Sequence, residues 1–311
     1  MRSFLSIADL SREEVARILD RAVALKEETR AGHWRDELAG KTVALLFQKP
    51  SLRTRISFEQ GVRQLGGHSL YLSPAEVGLG ERESVPDVAR VISRYVDCVV
   101  VRSNRHADQV VLAEYSSVPV VNALSDFSHP CQALADMLTV REKKRDFPGL
   151  IMAYIGDGNN VAHSLILIAA KLGVHFRIAC PAGFEPQDRV IHGSEADRQA
   201  TGATLSIVRS PNDAVAGADV LYTDVWTSMG QELENELRKK TFAGYRIDGQ
   251  LLKAAKPDAV VMHDLPAHRG EEITDEVMDG PQSVVFDQAE NRMHAQKGLL
   301  SVMFTDWLKG Q

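Results

Sequence analysis

Five residues, Ser51-Leu52-Arg53-Thr54-Arg55, place two guanidinium groups and two hydroxyls at the exit of an apolar run, TVALLF (42–47). An amphipathic stretch follows them, so they open a helix. A helix N-terminus offers free N–H groups and a partial positive charge, and cations there are unfavourable unless an anion sits among them. Guanidinium forks match phosphate in a bidentate way. The spacing points to a phosphate site, with a solvated basic helix start as the plainer alternative. Arg102 closes a second apolar run, DCVVVR (97–102), in the same half of the chain. Alone it reads as a surface arginine; its place at a strand end joins it to the phosphate candidates.

Further groups follow other apolar runs. In His129-Pro130-Cys131-Gln132 the outer two residues are three apart and share a helical face. An imidazole and an amide so placed can polarise a carbonyl oxygen; a structural histidine at a capped helix start is the even alternative. His129 and Cys131 have no further ligands at metal spacing, so no metal is expected. Gly156-Asp157-Gly158-Asn159-Asn160 follows LIMAYI and resembles a nucleotide turn, but Val161 stands where the third glycine belongs. Its asparagines suit a small polar ligand instead. Asp224-Val225-Trp226-Thr227-Ser228-Met229-Gly230 offers a carboxylate, hydroxyls and a flexible turn for an ammonium group, or is an ordinary β–α loop. His263-Asp264-Leu265-Pro266-Ala267-His268-Arg269-Gly270 is rich in chemistry for a loop, and its Leu265-Pro266 bond is a candidate cis bond. Arg292, in Glu290-Asn291-Arg292 at the start of the last helix, reads as a site residue or a surface arginine.

These groups need elements to hold them. Ser11 and Glu14 form a capping-box pattern before the apolar face of Val15, Ile18, Leu19, Ala22 and Leu25. Apolar strands then alternate with helices: 42–47, 68–72, 97–102 and 118–123, and after the charged break REKKRDFPG (141–149), 150–155, 174–180, 203–208, 219–223 and 258–263. Continuous apolar strands between helices predict parallel sheets covered on both faces. The expected fold is α/β, with two doubly wound parallel-sheet domains joined by interdomain helices. The boundaries fall at 1–145, 146–287 and a C-terminal helix, 288–311, returning to the first domain. In such sheets ligands bind beyond the carboxyl ends of strands, where the groups above lie.

The bulk numbers agree with a globular chain of 311 residues, 44% apolar and 25% charged. A net charge of −6 argues against generic nucleic-acid or anionic-membrane binding. Three scattered cysteines indicate a reducing compartment, and neither a signal core nor a membrane-length apolar run appears. A cytoplasmic location is expected.

Taken together, the motifs resemble the aspartate/ornithine carbamoyltransferase family, its ornithine branch most closely. Ser-x-Arg-Thr-Arg matches residues 51–55, His-Pro-x-Gln matches 129–132, and Asp-x-x-x-Ser-Met-Gly matches 224–230. LPAHRGEEIT and ENR match as well, in the expected order along nearly the whole chain. The resemblance implies transfer of a carbamoyl group from carbamoyl phosphate to L-ornithine, giving L-citrulline and phosphate, with no metal or organic cofactor. It implies that Ser51, Leu52, Arg53, Thr54 and Arg102 hold the phosphate and His129 and Gln132 the carbamoyl group. Asn160, Asp224, Ser228 and Met229 would take the ornithine, and Leu265 and Arg292 would contact the reacting complex. A homotrimer or a multiple of trimers is implied too.

The chain departs from the family at two places. The family's His-Cys-Leu-Pro is here His263-Asp264-Leu265-Pro266, so a carboxylate replaces a thiol near the ornithine amine. Asp264 is expected to accept the ammonium and to relay a proton, beside Asp224. In the loop 74–84, which reaches a neighbouring subunit in the family, Gly78 stands where branch members often have Gln or His. Besides ornithine transfer, the departure leaves open a carbamoyltransferase for putrescine or lysine, and a non-catalytic regulatory protein that binds carbamoyl phosphate.

Overall fold

The computed structural model describes residues 3–144, 146–227 and 234–307. The chain divides into two compact units, Met1–Leu138 with Glu290–Gln311, and Thr139–Ala289. Each is built on one parallel sheet.

The first unit contains β1 (Thr42–Phe47), β2 (His68–Leu72), β3 (Cys98–Arg102) and β4 (Val120–Leu124), in the spatial order β2-β1-β3-β4. β1, β3 and β4 are buried almost throughout, as their apolar runs require. Ala44, Leu46, Val99, Val101 and Val120 join Val88 and Leu112 in one core. The backbone of Phe4 pairs with Val121 and covers the outer edge of β4. The helix Arg12–Arg30 begins at Ser11 with the expected reciprocal bonds, Glu14 N to Ser11 Oγ and Ser11 N to Glu14.

The second unit contains β5 (Ile151–Ile155), β6 (His175–Ala179), β7 (Leu205–Val208), β8 (Val220–Thr223) and β9 (Val260–His263), in the order β7-β6-β5-β8-β9. Ala153, Ile155, Leu221, Val261 and Ile273 form its core. The α/β architecture and the strands agree with the sequence reading to within two residues. The charged break does not begin where it was expected. Arg141, Glu142, Lys143 and Lys144 are the end of the helix Pro130–Lys144. These residues favour helix, and the basic ones complement its negative C-terminal end. The last helix starts earlier than its motif suggested, at Val285, and runs to Val302. Among the described residues no helix is long and apolar enough to cross a membrane.

Both strand orders reverse direction once. In the first sheet the chain leaves β1 toward β2 and later resumes on the other side with β3. In the second it leaves β5 toward β6 and resumes with β8. Helices leaving on opposite faces open a crevice at such a reversal. The register pairs Phe47 with Arg102 at the first reversal and Ile155 with Thr223 at the second. Ser51–Thr54 and Arg102 therefore belong to one switch point. Gly156–Asn160 and Asp224 belong to the other.

Candidate active site

At the first switch point the helix Leu52–Gln64 starts with extended backbone at Ser51. An N-cap serine usually accepts an N–H bond from its own helix, but Ser51 does not. Its Oγ donates instead to Thr54 Oγ1 at 2.9 Å. Thr54 is buried, Arg53 half-buried and Leu52 72% exposed. Arg55 corrects the simplest reading of the five-residue motif. Its Nε donates to Glu59 at 2.9 Å and its guanidinium lies 3.9 Å from the centre of the Tyr71 ring. It belongs to the helix surface, so Arg53 carries the charge that the first turn presents.

Arg102 is 5% exposed at the end of β3, and Gln48 N donates to its carbonyl at 2.8 Å. His129 and Arg292 are buried and lie 2.8 Å apart, Nη2 to Nε2. An arginine can only donate, so His129 Nε2 accepts and the ring hydrogen sits on Nδ1. Burial, then Arg292, then Arg102 push His129 well below the ordinary histidine range, so the ring stays neutral. Gln132 donates through Nε2 to Asp136 at 2.8 Å. That bond turns its amide oxygen the other way. One N–H of Gln132 is thereby committed to Asp136, which leaves its amide oxygen as an acceptor and its second N–H as a donor.

Arg292 is placed by the packing of its helix. Lys26 donates to Asn291 at 2.6 Å. Lys297 donates to Thr29 at 2.5 Å and to Gln64 at 2.8 Å. A Cβ on Gly298 would meet the Ile18 carbonyl at 2.6 Å, so only glycine lets the two helices approach this closely. Gly78 has its own reason. It closes the turn Pro74–Val77 with φ +49°, and a Cβ there would lie 2.8 Å from that of Arg82.

At the second switch point Gly158 and Asn159, in the turn after β5, have distinct tasks. Gly158 passes so close to the 184–186 loop that a Cβ would lie 2.3 Å from Pro186 N, while its own N–H bonds Phe184 O at 2.8 Å. Asn159 caps the helix Asn160–Leu172 by accepting from Val161 N and Ala162 N. It also donates to Asp224 Oδ2 at 3.0 Å and accepts from the Tyr154 hydroxyl at 3.3 Å. Asn160, named from the motif, is the first residue of that helix and half-buried. Asn159 carries a signal of its own in the sequence, since an asparagine before an apolar helical run is a standard N-cap. The nucleotide-like turn is thus explained by close packing and by support of a carboxylate.

Asp224 is 7% exposed just past β8. β8 and β9 pair Thr223 with His263, so Asp264 stands beside Asp224 at the neighbouring strand end. Burial, and next the charge of Asp264, raise Asp224 to about 7. The loop after β9 is tied to Glu272, which takes His263 Nε2 at 3.0 Å and His268 N at 2.6 Å. Leu265 N donates to His263 Nδ1 at 2.9 Å. Leu265 has φ +63°, an outlier for a branched residue, and its bond to Pro266 is cis as anticipated. Arg269 pairs with Asp275 and Asp279 at the surface and takes no part in the site. Ser228 and Met229 lie outside the described residues.

Comparison with known proteins gives one answer. A family model described as the carbamoyl-P binding domain of aspartate/ornithine carbamoyltransferase matches residues 2–142, and its Asp/Orn binding domain matches residues 148–303. The ornithine carbamoyltransferase of Thermococcus kodakarensis is 52% identical over 302 residues, covering 97% of this chain and 96% of that one. The anabolic ornithine carbamoyltransferase of Pyrococcus furiosus is 50% identical over 302 residues, covering 97% and 96%. A solved Pyrococcus furiosus ornithine carbamoyltransferase superposes with a TM-score of 0.94 at 50% identity, covering 96% of each chain. With two matched domains, close relatives along nearly its whole length and the same fold, the chain belongs to the aspartate/ornithine carbamoyltransferase family.

Proposed function

We propose that this protein transfers the carbamoyl group of carbamoyl phosphate to the side-chain amine of L-ornithine, giving L-citrulline and phosphate. The observation that carries the reading is the opposite charge of the two switch points. One gathers Arg102 and Arg292 around a neutral histidine, with Arg53 on the helix that follows β1; the other gathers Asp224 and Asp264. A phosphate suits the first and an ammonium the second.

The first unit binds carbamoyl phosphate. Ser51, the backbone of Leu52, Arg53, Thr54 and Arg102 hold the phosphate. His129 Nδ1–H and Arg102 donate to the carbamoyl oxygen, and Gln132 accepts from the carbamoyl NH2. Arg292 sets the His129 tautomer and adds positive charge. In the second unit Asn160, Asp224, Ser228 and Met229 hold ornithine, and the Leu265 backbone contacts the reacting groups. The δ-amine is mostly protonated in neutral water, with a pKa of about 10.4 by analogy with lysine. It must lose a proton to become a nucleophile, and the carboxylate pair Asp224–Asp264 receives it. The amine nitrogen then bonds the carbamoyl carbon, and negative charge builds on the carbamoyl oxygen opposite the fixed donors. As the carbon–oxygen bond to phosphate breaks, the attacking nitrogen gives its second proton to the departing phosphate, and hydrogen phosphate leaves into the arginine cluster. All these steps use the chain's own side chains.

A trimer or a multiple of trimers, a cytoplasmic location and a part in arginine biosynthesis complete the proposal. The similarity to the anabolic ornithine carbamoyltransferase of Pyrococcus furiosus supports the last of these. The test is citrulline formation by the purified protein, with putrescine, lysine and N-acetylornithine run in parallel and the mass measured by sedimentation. Turnover with ornithine above all other amines is the expected result. Preference for another amine, or carbamoyl phosphate binding without turnover, would replace the proposal.

A further inference from the structure

The second unit buries a cation to which the proposed reaction gives no task. Arg238, on the helix Asn235–Phe242, is 6% exposed. Its Nη1 donates to Asp157 Oδ2 at 2.7 Å and to the Trp226 carbonyl at 2.8 Å. Its Nε donates to Glu234 at 2.9 Å, and its guanidinium lies 5.0 Å from the centre of the Phe184 ring. Asp157 belongs to the turn after β5. Trp226 is two residues beyond Asp224. One guanidinium therefore spans the switch point, from the end of one central strand to the chain leaving the other.

The Trp226 carbonyl needs such a partner. β8 ends at Thr223, so the sheet no longer supplies one. The Trp226 ring is fixed by the same helix, stacked on Phe242 with centroids 6.1 Å apart. Asp224 is thus gripped on two sides. Asn159 holds its carboxylate, and Arg238 and Phe242 hold the backbone just after it. The grip opposes a real force. Two carboxylates at paired strand ends repel, and repulsion at low dielectric would drive Asp224 away from its neighbour unless the main chain were anchored.

We infer that Arg238, held by Asp157, is a positioning residue for the amine acceptor: it fastens the Trp226 carbonyl and so sets where the Asp224 carboxylate stands. The inference rests on the proposed binding of ornithine by Asp224. Small displacements of a reacting group cost much in rate, so its signature is kinetic and confined to one substrate.

The experiment measures kcat, both KM values and the thermal midpoint for the wild type, Arg238→Gln, Arg238→Lys, Asp157→Asn and the double variant Arg238→Gln/Asp157→Asn. Arg238→Gln is expected to raise the ornithine KM at least about tenfold and to leave the carbamoyl phosphate KM within about twofold. Arg238→Lys should recover part of the loss. Asp157→Asn should raise the same KM less, and the double variant should lose less than the product of the two. An unchanged ornithine KM overturns the inference. So does a common fall of kcat, both affinities and the midpoint, which would mark a merely structural arginine. Should Arg238→Gln fail to fold, the nearly isosteric Asp157→Asn decides on the same criteria. A wild type inactive with ornithine but active with another amine would refute the substrate, and the inference as stated with it. An ornithine-active wild type with insensitive variants would refute the inference alone.

Discussion

The two switch points share a topology and differ in how they treat a helix N-terminus. In the first unit Ser51 turns its hydroxyl to Thr54 and leaves its own helix uncapped by its side chain. In the second, Asn159 caps its helix with two accepted N–H bonds and points its amide at Asp224. An open N-terminus attracts an anion; a capped one has its donors satisfied. Charge follows the same division. Arginines crowd the open end, and carboxylates stand by the closed one. The parallel-sheet crevice is therefore neutral as to ligand, and the capping residue with the strand-end charges decides what it binds.

The largest effects should come from breaking the anion side. Arg53→Ala is expected to lower kcat/KM for carbamoyl phosphate by about 10³, or about 4 kcal/mol, the scale of losing one donor to a developing anion. Arg53 is half-buried, so the circular dichroism spectrum should be unchanged. Titration with inorganic phosphate should show the loss directly. Retained affinity would mean that the open helix start serves something other than phosphate.

Breaking the cation side should cost less in rate and give something back in stability. Asp224→Asn is expected to lower kcat/KM for ornithine by about 10², with phosphate affinity unaltered. Folding raises Asp224 from an ordinary carboxyl value to about 7, because of burial and then Asp264. The native state then binds more protons than the unfolded one between about pH 4 and 7, so this group lowers stability as pH rises through that window. Above it the penalty is constant, of the order of a few kcal/mol. Asparagine removes the penalty. The variant should melt several degrees higher than the wild type at pH 8 and about equally at pH 4. Equal melting at both would show that Asp224 is not strained by its surroundings.

A smaller contrast concerns His129, the titratable group most naturally blamed for an acid limb. Burial, Arg292 and Arg102 keep it neutral, so its ring resonances should not shift between pH 5 and 9. The acid limb of kcat/KM for ornithine should then vanish in Asp224→Asn and persist in His129→Gln. The reverse pattern would exchange their roles.

What the sequence made legible differs between the two sides in the same way. Ser51, Arg53, Thr54, Arg102 and His129 could be read because local rules announce them: charges at a helix start and groups at strand ends. Arg55 was misread because its partners are Glu59, one turn on, and Tyr71, on a strand that only the fold brings near. Gln132 shows only half of its chemistry in the motif, since Asp136, one helical turn on, takes one of its amide N–H groups. On the cation side Asp224 and Asp264 were visible as motif residues, yet their adjacency follows from the β8–β9 register, which is 40 residues apart in sequence. Arg238 had no local signal at all. It lies in an ordinary polar helical run, ENELRKK, and only its contacts with Asp157 and Trp226 set it apart.

The finest test separates the two carboxylates. Asp264→Cys restores the family's usual residue and removes one negative charge from the pair. The charge of Asp264 raises Asp224, but burial raises it more, so Asp224 should fall toward the ordinary carboxyl range without reaching it. Ornithine binds the ionised form. The acid limb of kcat/KM should therefore move to lower pH by less than about one unit, since the free enzyme's essential groups set that limb. At pH 8, where Asp224 is ionised in both proteins, the variant loses attraction for the ammonium and should be slower by no more than about tenfold, the size of one partly screened charge. The two profiles then converge toward low pH. A limb that stays in place while activity falls would mean that Asp264 contacts the amine without influencing Asp224. A limb that moves while activity at pH 8 holds would mean that Asp264 tunes its neighbour and never touches the substrate.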